Sequence, residues 1–223
     1  MIPLRDKNPT QRVPFVNISI IIINVAAFVY EVSLGPQLEG FFFQFGLVPQ
    51  SFLASISSYE IITNSITPLF TSMFLHGGWM HLGGNMLYLW IFGDNVEDKI
   101  GHGRYLLFYL LCGIAASFVH VLIEPSSTIP TVGASGAISG ILGAYLIMFP
   151  RARVVTVIPI FVFLHVAELP AIFVLGFWFV IQFFNGILSL GYQTAGMGGV
   201  AWWAHIGGFV AGLALVIPFR KFK

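Results

Sequence analysis

Residues 132–149 read VGASGAISGILGAYLIMF, an apolar run that is short for a membrane-spanning helix. A helix this short is expected to be shielded by neighbouring helices rather than by lipid. Small residues line one of its faces and recur at the same spacing in a later run. The first face comprises Gly136, Gly140 and Ala144, and the face in the later run comprises Ala204, Gly208 and Gly212. Because small faces let helix backbones pack closely, the two runs are predicted to be neighbours.

The composition of the chain is that of a membrane protein. Of its 223 residues, 57% are hydrophobic and only 9% are charged, whereas a soluble domain has roughly 25% charged residues. Lipid must therefore be part of the solvent, and the lipid bilayer is a predicted partner. The net charge of +1 argues against nucleic acid as a partner. The single cysteine, Cys112, excludes a disulfide framework.

Six apolar runs read as membrane crossings. They lie at about 15–33, 78–98, 105–123, 132–149, 169–190 and 201–219. With both termini in the cytoplasm, all ten Lys and Arg residues fall on the cytoplasmic side. The sequence thus predicts an all-α membrane protein with six transmembrane helices and both termini cytoplasmic. Its predicted parts are a short cytoplasmic N-terminus (1–14), a six-helix membrane domain (15–219) and a basic cytoplasmic tail (220–223).

Three segments between these runs need separate interpretation. Residues 154–168 are apolar, but Pro159, Glu168 and a β-branched run favour an interfacial or re-entrant hairpin on the cytoplasmic side over a seventh span. The long outer loop at about 34–77 is predicted to form short amphipathic helices in the outer interface. The glycine-rich loop at 191–199 is predicted to be a mobile cap, with the fifth helix forming one side of a lateral entry; the alternative is a plain flexible connector.

Polar side chains at membrane depth are functional candidates because their burial costs free energy. They are His76, His81, Asn85, His120, Ser135, Ser139, His165, Gln182, Asn185 and His205. Four of them, His81, Asn85, Ser135 and His205, lie early in helices that run from outside to inside. At ~1.5 Å rise per residue, these four share one depth, within roughly 10 Å of the outer face.

This set of four side chains fits nucleophilic catalysis. The Ser135 hydroxyl is a weak nucleophile until a base such as His205 takes its proton. An intermediate with a developing negative charge needs hydrogen-bond donors, which Asn85, His81 and a helix N-terminus offer. No Asp or Glu is expected at membrane depth, so the pair is predicted to lack an acidic third member.

The four side chains lie in three motifs: His81-xxx-Asn85, Gly133-Ala134-Ser135-Gly136 and the run from Ala204-His205 to Gly208 and Gly212. These motifs resemble those of the rhomboid family of intramembrane serine proteases. The end of the second helix adds Gly93-xxx-Glu97-xxx-Gly101. The resemblance covers nearly the whole chain.

The resemblance implies a six-helix bundle with a catalytic Ser135–His205 dyad. It implies oxyanion stabilisation by His81, Asn85 and the Ser135 backbone amide. It also implies no cofactor or metal, substrates that are themselves transmembrane proteins, and a multi-pass location, expected to be the prokaryotic plasma (inner) membrane. Two positions depart from the family pattern: Thr67-Pro68 replaces a Trp-Arg pair, and Ser139 replaces a Tyr found below the base in some members.

Two other functions fit some of the same residues. One is a catalytically silent rhomboid-like protein that binds membrane helices, which the intact set of reacting residues disfavours. The other is a transporter or metal carrier using His76, His81 and His205. The expected absence of an intramembrane carboxylate and the absence of inverted-repeat symmetry disfavour a transporter. Without His-Glu-x-x-His a zinc protease is disfavoured as well.

Overall fold

The computed structural model describes residues 1–56, 59, 61–191 and 200–219. Six long helices lie where the sequence predicts crossings. They are α1 (Phe15–Ser33), α5 (Trp79–Ile100), α6 (His102–Ile123), α7 (Ser135–Met148), α8 (Ala171–Gly191) and α9 (Trp202–Phe219). Three short helices precede α5 in the outer loop, namely α2 (Leu38–Phe45), α3 (Pro49–Ser55) and α4 (Thr67–Thr71). The predicted helices are therefore present, with boundaries that differ by a few residues.

Four of the described helices, α1, α6, α8 and α9, are each long and apolar enough to cross a membrane. Helix α7 is apolar but shorter, and its residues 136–145 are all buried. The prediction that protein rather than lipid shields this helix is confirmed. Helix α5 has 22 residues but becomes polar towards its end. The chain is thus a membrane protein with several apolar helices, and the count of six crossings with cytoplasmic termini remains a prediction.

Helices α7 and α9 pack backbone to backbone through their small residues. A Cβ added to Gly208 would lie 2.0 Å from the carbonyl oxygen of Gly136. One turn further, a Cβ on Gly212 would lie 2.0 Å from the carbonyl oxygen of Gly140. Any larger side chain would therefore push the helices apart. The pairing of the two small faces predicted from the sequence is confirmed.

This contact gives a prediction for Gly212→Ala. The added methyl group has no room, so we expect a loss of stability of about 1–3 kcal/mol, as in other overpacked interiors. Gly176→Ala on α8 is the matched control, because no described atom apart from the adjoining backbone of its own helix lies within 4 Å of its Cβ position and alanine favours the helix. Thermal unfolding in detergent should show a lower Tm for Gly212→Ala alone. Equal Tm values for the two variants would contradict the close packing.

The Gly93-xxx-Glu97-xxx-Gly101 segment of α5 anchors the start of α1. The buried Glu97 carboxylate accepts hydrogen bonds from the backbone N–H groups of Val16 (3.0 Å) and Asn17 (2.7 Å). These groups have no helical acceptor at the N-terminus of α1, and the carboxylate also complements the helix dipole. Gly93 leaves room for the Asn17 side chain, because a Cβ there would lie 2.2 Å from Asn17 Oδ1. The motif is thus explained by a contact between two helices.

A small antiparallel sheet corrects the all-α prediction. Strand β1 (Ile2–Asp6) pairs with β2 (Arg153–Ile160), which pairs with β3 (Phe163–Pro170). The predicted hairpin at 154–168 exists, but it consists of two strands, because its β-branched residues suit a pleated surface. It is not a seventh transmembrane helix. The N-terminal segment belongs to the same sheet because β1 pairs with β2. The Asp6 carboxylate at the end of β1 also ties the sheet to the helices, because it accepts hydrogen bonds from Tyr145 of α7 and Asn95 of α5.

The outer loop contains the predicted short helices and is tied to the segment that precedes α7. Leu47 and Thr131 exchange two backbone hydrogen bonds, of 3.0 and 2.8 Å. Thr71 of α4 donates its hydroxyl to the carbonyl oxygen of Phe45 in α2 (2.6 Å). These bonds hold the loop, although Thr67-Pro68 stands where many family members have Trp-Arg. Residues 192–199 of the predicted cap loop (191–199) and the basic tail (220–223) lie outside the described residues.

Candidate active site

Three helix N-termini bring the predicted site residues together. His81 is the third residue of α5, Ser135 the first of α7 and His205 the fourth of α9. Helix α7 packs against both of the other helices. Ser135 therefore lies at the very start of its helix, rather than about three residues inside it as the sequence suggested. In that position its backbone N–H has no acceptor within the helix.

The Ser135 hydroxyl and the His205 imidazole are hydrogen-bonded. Oγ of Ser135 lies 2.8 Å from Nε2 of His205, although the residues are 70 positions apart in sequence. The close approach of α7 and α9 at Gly208 makes this distance possible. An unprotonated Nε2 accepts the hydroxyl proton in such a pair, which is the geometry that general-base activation of a serine needs.

The other nitrogen of His205 has a partner that the sequence did not assign. Nδ1 lies 2.7 Å from Oε1 of Gln182, which projects from α8. Gln182 was one of the ten polar candidates, but no role was predicted for it. A helical hydrophobic pattern cannot show which turn of α8 meets α9. The signal that was available is the amide itself, in an otherwise strongly apolar helix.

Two indole rings surround the His205 imidazole. The ring centroids of Trp178 and His205 are 6.0 Å apart with an interplanar angle of 34°, and Trp202 lies edge-on at 6.2 Å. Ser139, which replaces the family Tyr, donates its hydroxyl to the backbone carbonyl of Ser135 (2.6 Å). Ser139 offers no ring to the imidazole, and the aromatic contacts of His205 come instead from Trp178 of α8 and Trp202 of α9.

His81 faces the same small space as Ser135. The position that a Cβ would occupy on Gly133 lies 2.7 Å from Nε2 of His81 and 3.5 Å from Oγ of Ser135. Gly133 also has φ = 134°, a conformation that L side chains rarely adopt. Glycine is therefore required between the two side chains for both steric and conformational reasons.

Asn85 lies one turn after His81 on α5 and is buried. Its side-chain Nδ2 has no hydrogen-bond partner among the described residues. A buried N–H donor left unpaired costs about 1–3 kcal/mol. One explanation for such an unpaired donor is that it binds a reacting molecule.

The sequence was predicted to place no carboxylate at membrane depth, but two carboxylates of the long helices are buried, Glu97 of α5 and Glu31 of α1. Glu31, in the last turn of α1, is 1% exposed and accepts hydrogen bonds from the backbone N–H of His76 at 3.2 and 3.3 Å. The His76 ring meets the His81 ring edge-on at 5.2 Å. Glu31 therefore ties α1 to the segment before α5 and makes no bond to His205.

The remaining polar candidates are placed outside the Ser135–His205 pair. His120 of α6 lies 2.9 Å from the Thr131 hydroxyl and joins α6 to the segment before α7. His165 lies in β3 rather than in a helix, and Asn185 is half-buried on α8. Within the part of the chain that the structure describes, no three His, Cys, Asp or Glu side chains converge as a metal site would need.

Comparisons with known proteins identify the same family as the motifs. A family model of the rhomboid domain matches residues 63–222. Among curated proteins, the rhomboid protease GluP of Bacillus subtilis is 47% identical over 78 residues, which is 35% of this chain and 15% of GluP. The mitochondrial rhomboid protein 1 of Saccharomyces cerevisiae is 29% identical over 162 residues, which is 69% of this chain and 42% of that protein.

A third relative, the mitochondrial presenilin-associated rhomboid-like protein of Mus musculus, is 28% identical over 156 residues, or 66% of this chain and 36% of that protein. The matched segments thus span less than half of each relative. Because these relatives include bacterial and mitochondrial proteins, the comparisons do not select the prokaryotic plasma membrane, which stays a prediction. The family model covers well over half of the chain and includes Ser135, His205, His81 and Asn85. This chain belongs to the rhomboid family.

Proposed function

We propose that this chain is an intramembrane serine endopeptidase that cleaves transmembrane segments of other membrane proteins. The observation that supports this most directly is the 2.8 Å contact between Ser135 Oγ and His205 Nε2 at the N-terminus of a buried helix. Ser135 attacks the peptide carbonyl while His205 accepts its proton. His205 then returns that proton to the leaving amine, and a water molecule hydrolyses the acyl-enzyme by the same route.

The negative charge on the intermediate would be stabilised by three donors. These are the backbone N–H of Ser135, the ring N–H of His81 and the side-chain amide of Asn85. The unpaired Nδ2 of Asn85 and the position of His81 beside Gly133 support this assignment. Donors fixed in place before the reaction stabilise a developing charge without reorganisation.

The topology proposed with this function has six crossings, both termini in the cytoplasm and the site near the outer face. The distribution of Lys and Arg supports that orientation. Substrates reach the site from the bilayer, so they are transmembrane proteins rather than soluble ones. No cofactor takes part in this scheme.

The decisive test is cleavage of a transmembrane model substrate by the purified protein in detergent. We expect cleavage, labelling of Ser135 by a fluorophosphonate probe and no effect of a metal chelator. Retention of the substrate without cleavage or labelling would instead indicate a catalytically silent helix-binding protein. Inhibition by the chelator alone would favour a metal-dependent function.

The oxyanion assignment predicts graded losses in His81→Ala and Asn85→Ala. Removing one such donor costs roughly 2.7–4 kcal/mol in transition-state stabilisation. Because two other donors remain here, we expect the lower end of that range or less, seen mainly in kcat. Gly83→Ala is a suitable control on the same helix, since the described residues place no atom within 4 Å of its Cβ position apart from the adjoining helix backbone. A wild-type rate in either variant would make that residue structural.

A further inference from the structure

Gln182 lies on the buried stripe of a helix that is otherwise largely exposed. The buried positions of α8 recur every three or four residues and include Ala171, Val174, Leu175 and Gln182. The neighbouring Phe183 and Phe184 are exposed. A primary amide at such a position loses its hydration, which costs free energy unless a hydrogen bond replaces it. The bond that Gln182 makes is the one to Nδ1 of His205, at 2.7 Å.

We propose that Gln182 is a positioning residue that holds neutral His205 in the tautomer able to accept the Ser135 proton. The inference rests on the proposed peptidase function. A neutral imidazole carries one N–H. When that N–H is on Nδ1 and donates to Oε1 of Gln182, the lone pair of Nε2 is free to accept from Ser135. The other tautomer points an N–H at the hydroxyl and cannot take its proton.

The bond also fixes the direction of the ring. Nδ1 and Nε2 are both held, at 2.7 and 2.8 Å, by groups from two different helices, α8 and α7. The indoles of Trp178 and Trp202 restrict the ring faces but cannot choose between tautomers. Gln182 therefore supplies the orienting hydrogen bond that an acidic residue supplies in a serine protease triad.

A neutral amide suits this location better than a carboxylate would. The ionised side chain of an Asp or Glu on α8 would have to lose its hydration beside lipid, at a cost of several kcal/mol. The amide oxygen offers an acceptor with no net charge. Its dipole still stabilises the imidazolium that forms when His205 takes the proton, because the negative end points at Nδ1.

Other polar groups near His205 do not perform this task. The neighbouring helices α5 and α6 carry the imidazoles of His81 and His120. His120 has its own hydrogen-bond partner in Thr131, and His81 lies beside Gly133. Ser135 of α7 is hydrogen-bonded to the other ring nitrogen, Nε2. Replacing Gln182 by an apolar residue would therefore remove the protein acceptor that Nδ1 has in this structure.

The tautomer can be read directly by ¹⁵N NMR of the protein labelled at histidine, with His205 assigned by its loss in His205→Ala. In the wild type at neutral pH we expect the proton on Nδ1. In Gln182→Leu we expect a mixture of the two tautomers. Asn185→Leu is the matched control, because it exchanges another amide of α8 for the same side chain. It should keep the wild-type spectrum. If Gln182→Leu does not fold, Gln182→Met keeps the unbranched chain and is measured instead.

Kinetics provide the second measurement. We expect Gln182→Leu to lower kcat by about 10- to 100-fold with little change in KM, since general-base catalysis contributes about 10²- to 10⁴-fold and the base itself remains. Gln182→Glu restores an acceptor for Nδ1 and should recover much of the rate. Its carboxylate also favours protonated His205, so the acid limb of the pH–rate profile should move to higher pH.

The proposal is overturned if Gln182→Leu keeps the Nδ1 proton on His205, or if it cleaves as fast as Asn185→Leu. It is also overturned if folded Gln182→Glu is no more active than Gln182→Leu. Failure of the proposed function looks different, because the wild type itself would then not cleave. The NMR measurement would still decide the tautomer in that case.

Discussion

Ser135→Ala is expected to lower cleavage of a transmembrane substrate by about 10⁴-fold or more, which is the size of the loss when a catalytic serine is removed from a hydrolase. The substitution deletes the atom that forms the acyl-enzyme, and the imidazole left behind has no hydroxyl to activate. The rate is measured by following product formation in detergent or in proteoliposomes. The same variant should show no labelling by a fluorophosphonate.

The fold should survive this change. Ser135→Ala removes one oxygen and one hydrogen bond, worth about 1 kcal/mol, so the Tm should shift little. Ser139→Ala is the matched control, because it lies one turn later on α7 and its hydroxyl bonds only to the backbone carbonyl of Ser135 among the described residues. We expect Ser139→Ala to cleave at a rate close to that of the wild type. A Ser135→Ala protein that is folded and active would refute the assigned nucleophile.

Much of the helical framework could be predicted because membrane helices are encoded locally. Apolar runs of sufficient length locate them, and the small residues of α7 and α9 identified the pair that packs most closely. Counting residues also put Ser135, His81 and His205 near the N-termini of their helices, where the structure has them. These features depend on length, hydropathy and spacing, which a single sequence contains.

The features that were missed depend on contacts between distant segments. Strand β1 pairs with β2, about 150 positions away, and nothing within a short charged N-terminal segment specifies that partner. Glu31 is buried because the backbone N–H of His76 reaches it from the segment before α5. Gln182 reaches His205 because of the way α8 is oriented about its own axis, which decides which of its side chains face α9. Predicting each of these contacts requires knowledge of how the helices and strands pack.

His205→Ala is expected to be as damaging as Ser135→Ala, and the double variant to be little worse than either. The reason is that the two side chains act as one unit, joined by the 2.8 Å contact between Nε2 and Oγ. Without the base the hydroxyl keeps its proton, and without the hydroxyl the base has no role in forming the acyl-enzyme. The rate losses caused by substituting residues that act as a unit are strongly non-additive. The second substitution therefore adds little to the loss caused by the first.

The double-mutant cycle separates this scheme from one in which His205 only supports the helices. A supporting histidine would lower the rate by a factor independent of Ser135, and the logarithms of the two losses would add. Labelling provides a second criterion, since a fluorophosphonate needs an activated hydroxyl and should react with neither single variant. If His205→Ala still labels at Ser135 at the wild-type rate, a different group activates the serine. Additive losses would then follow as well, because Ser135 and His205 would contribute to cleavage separately.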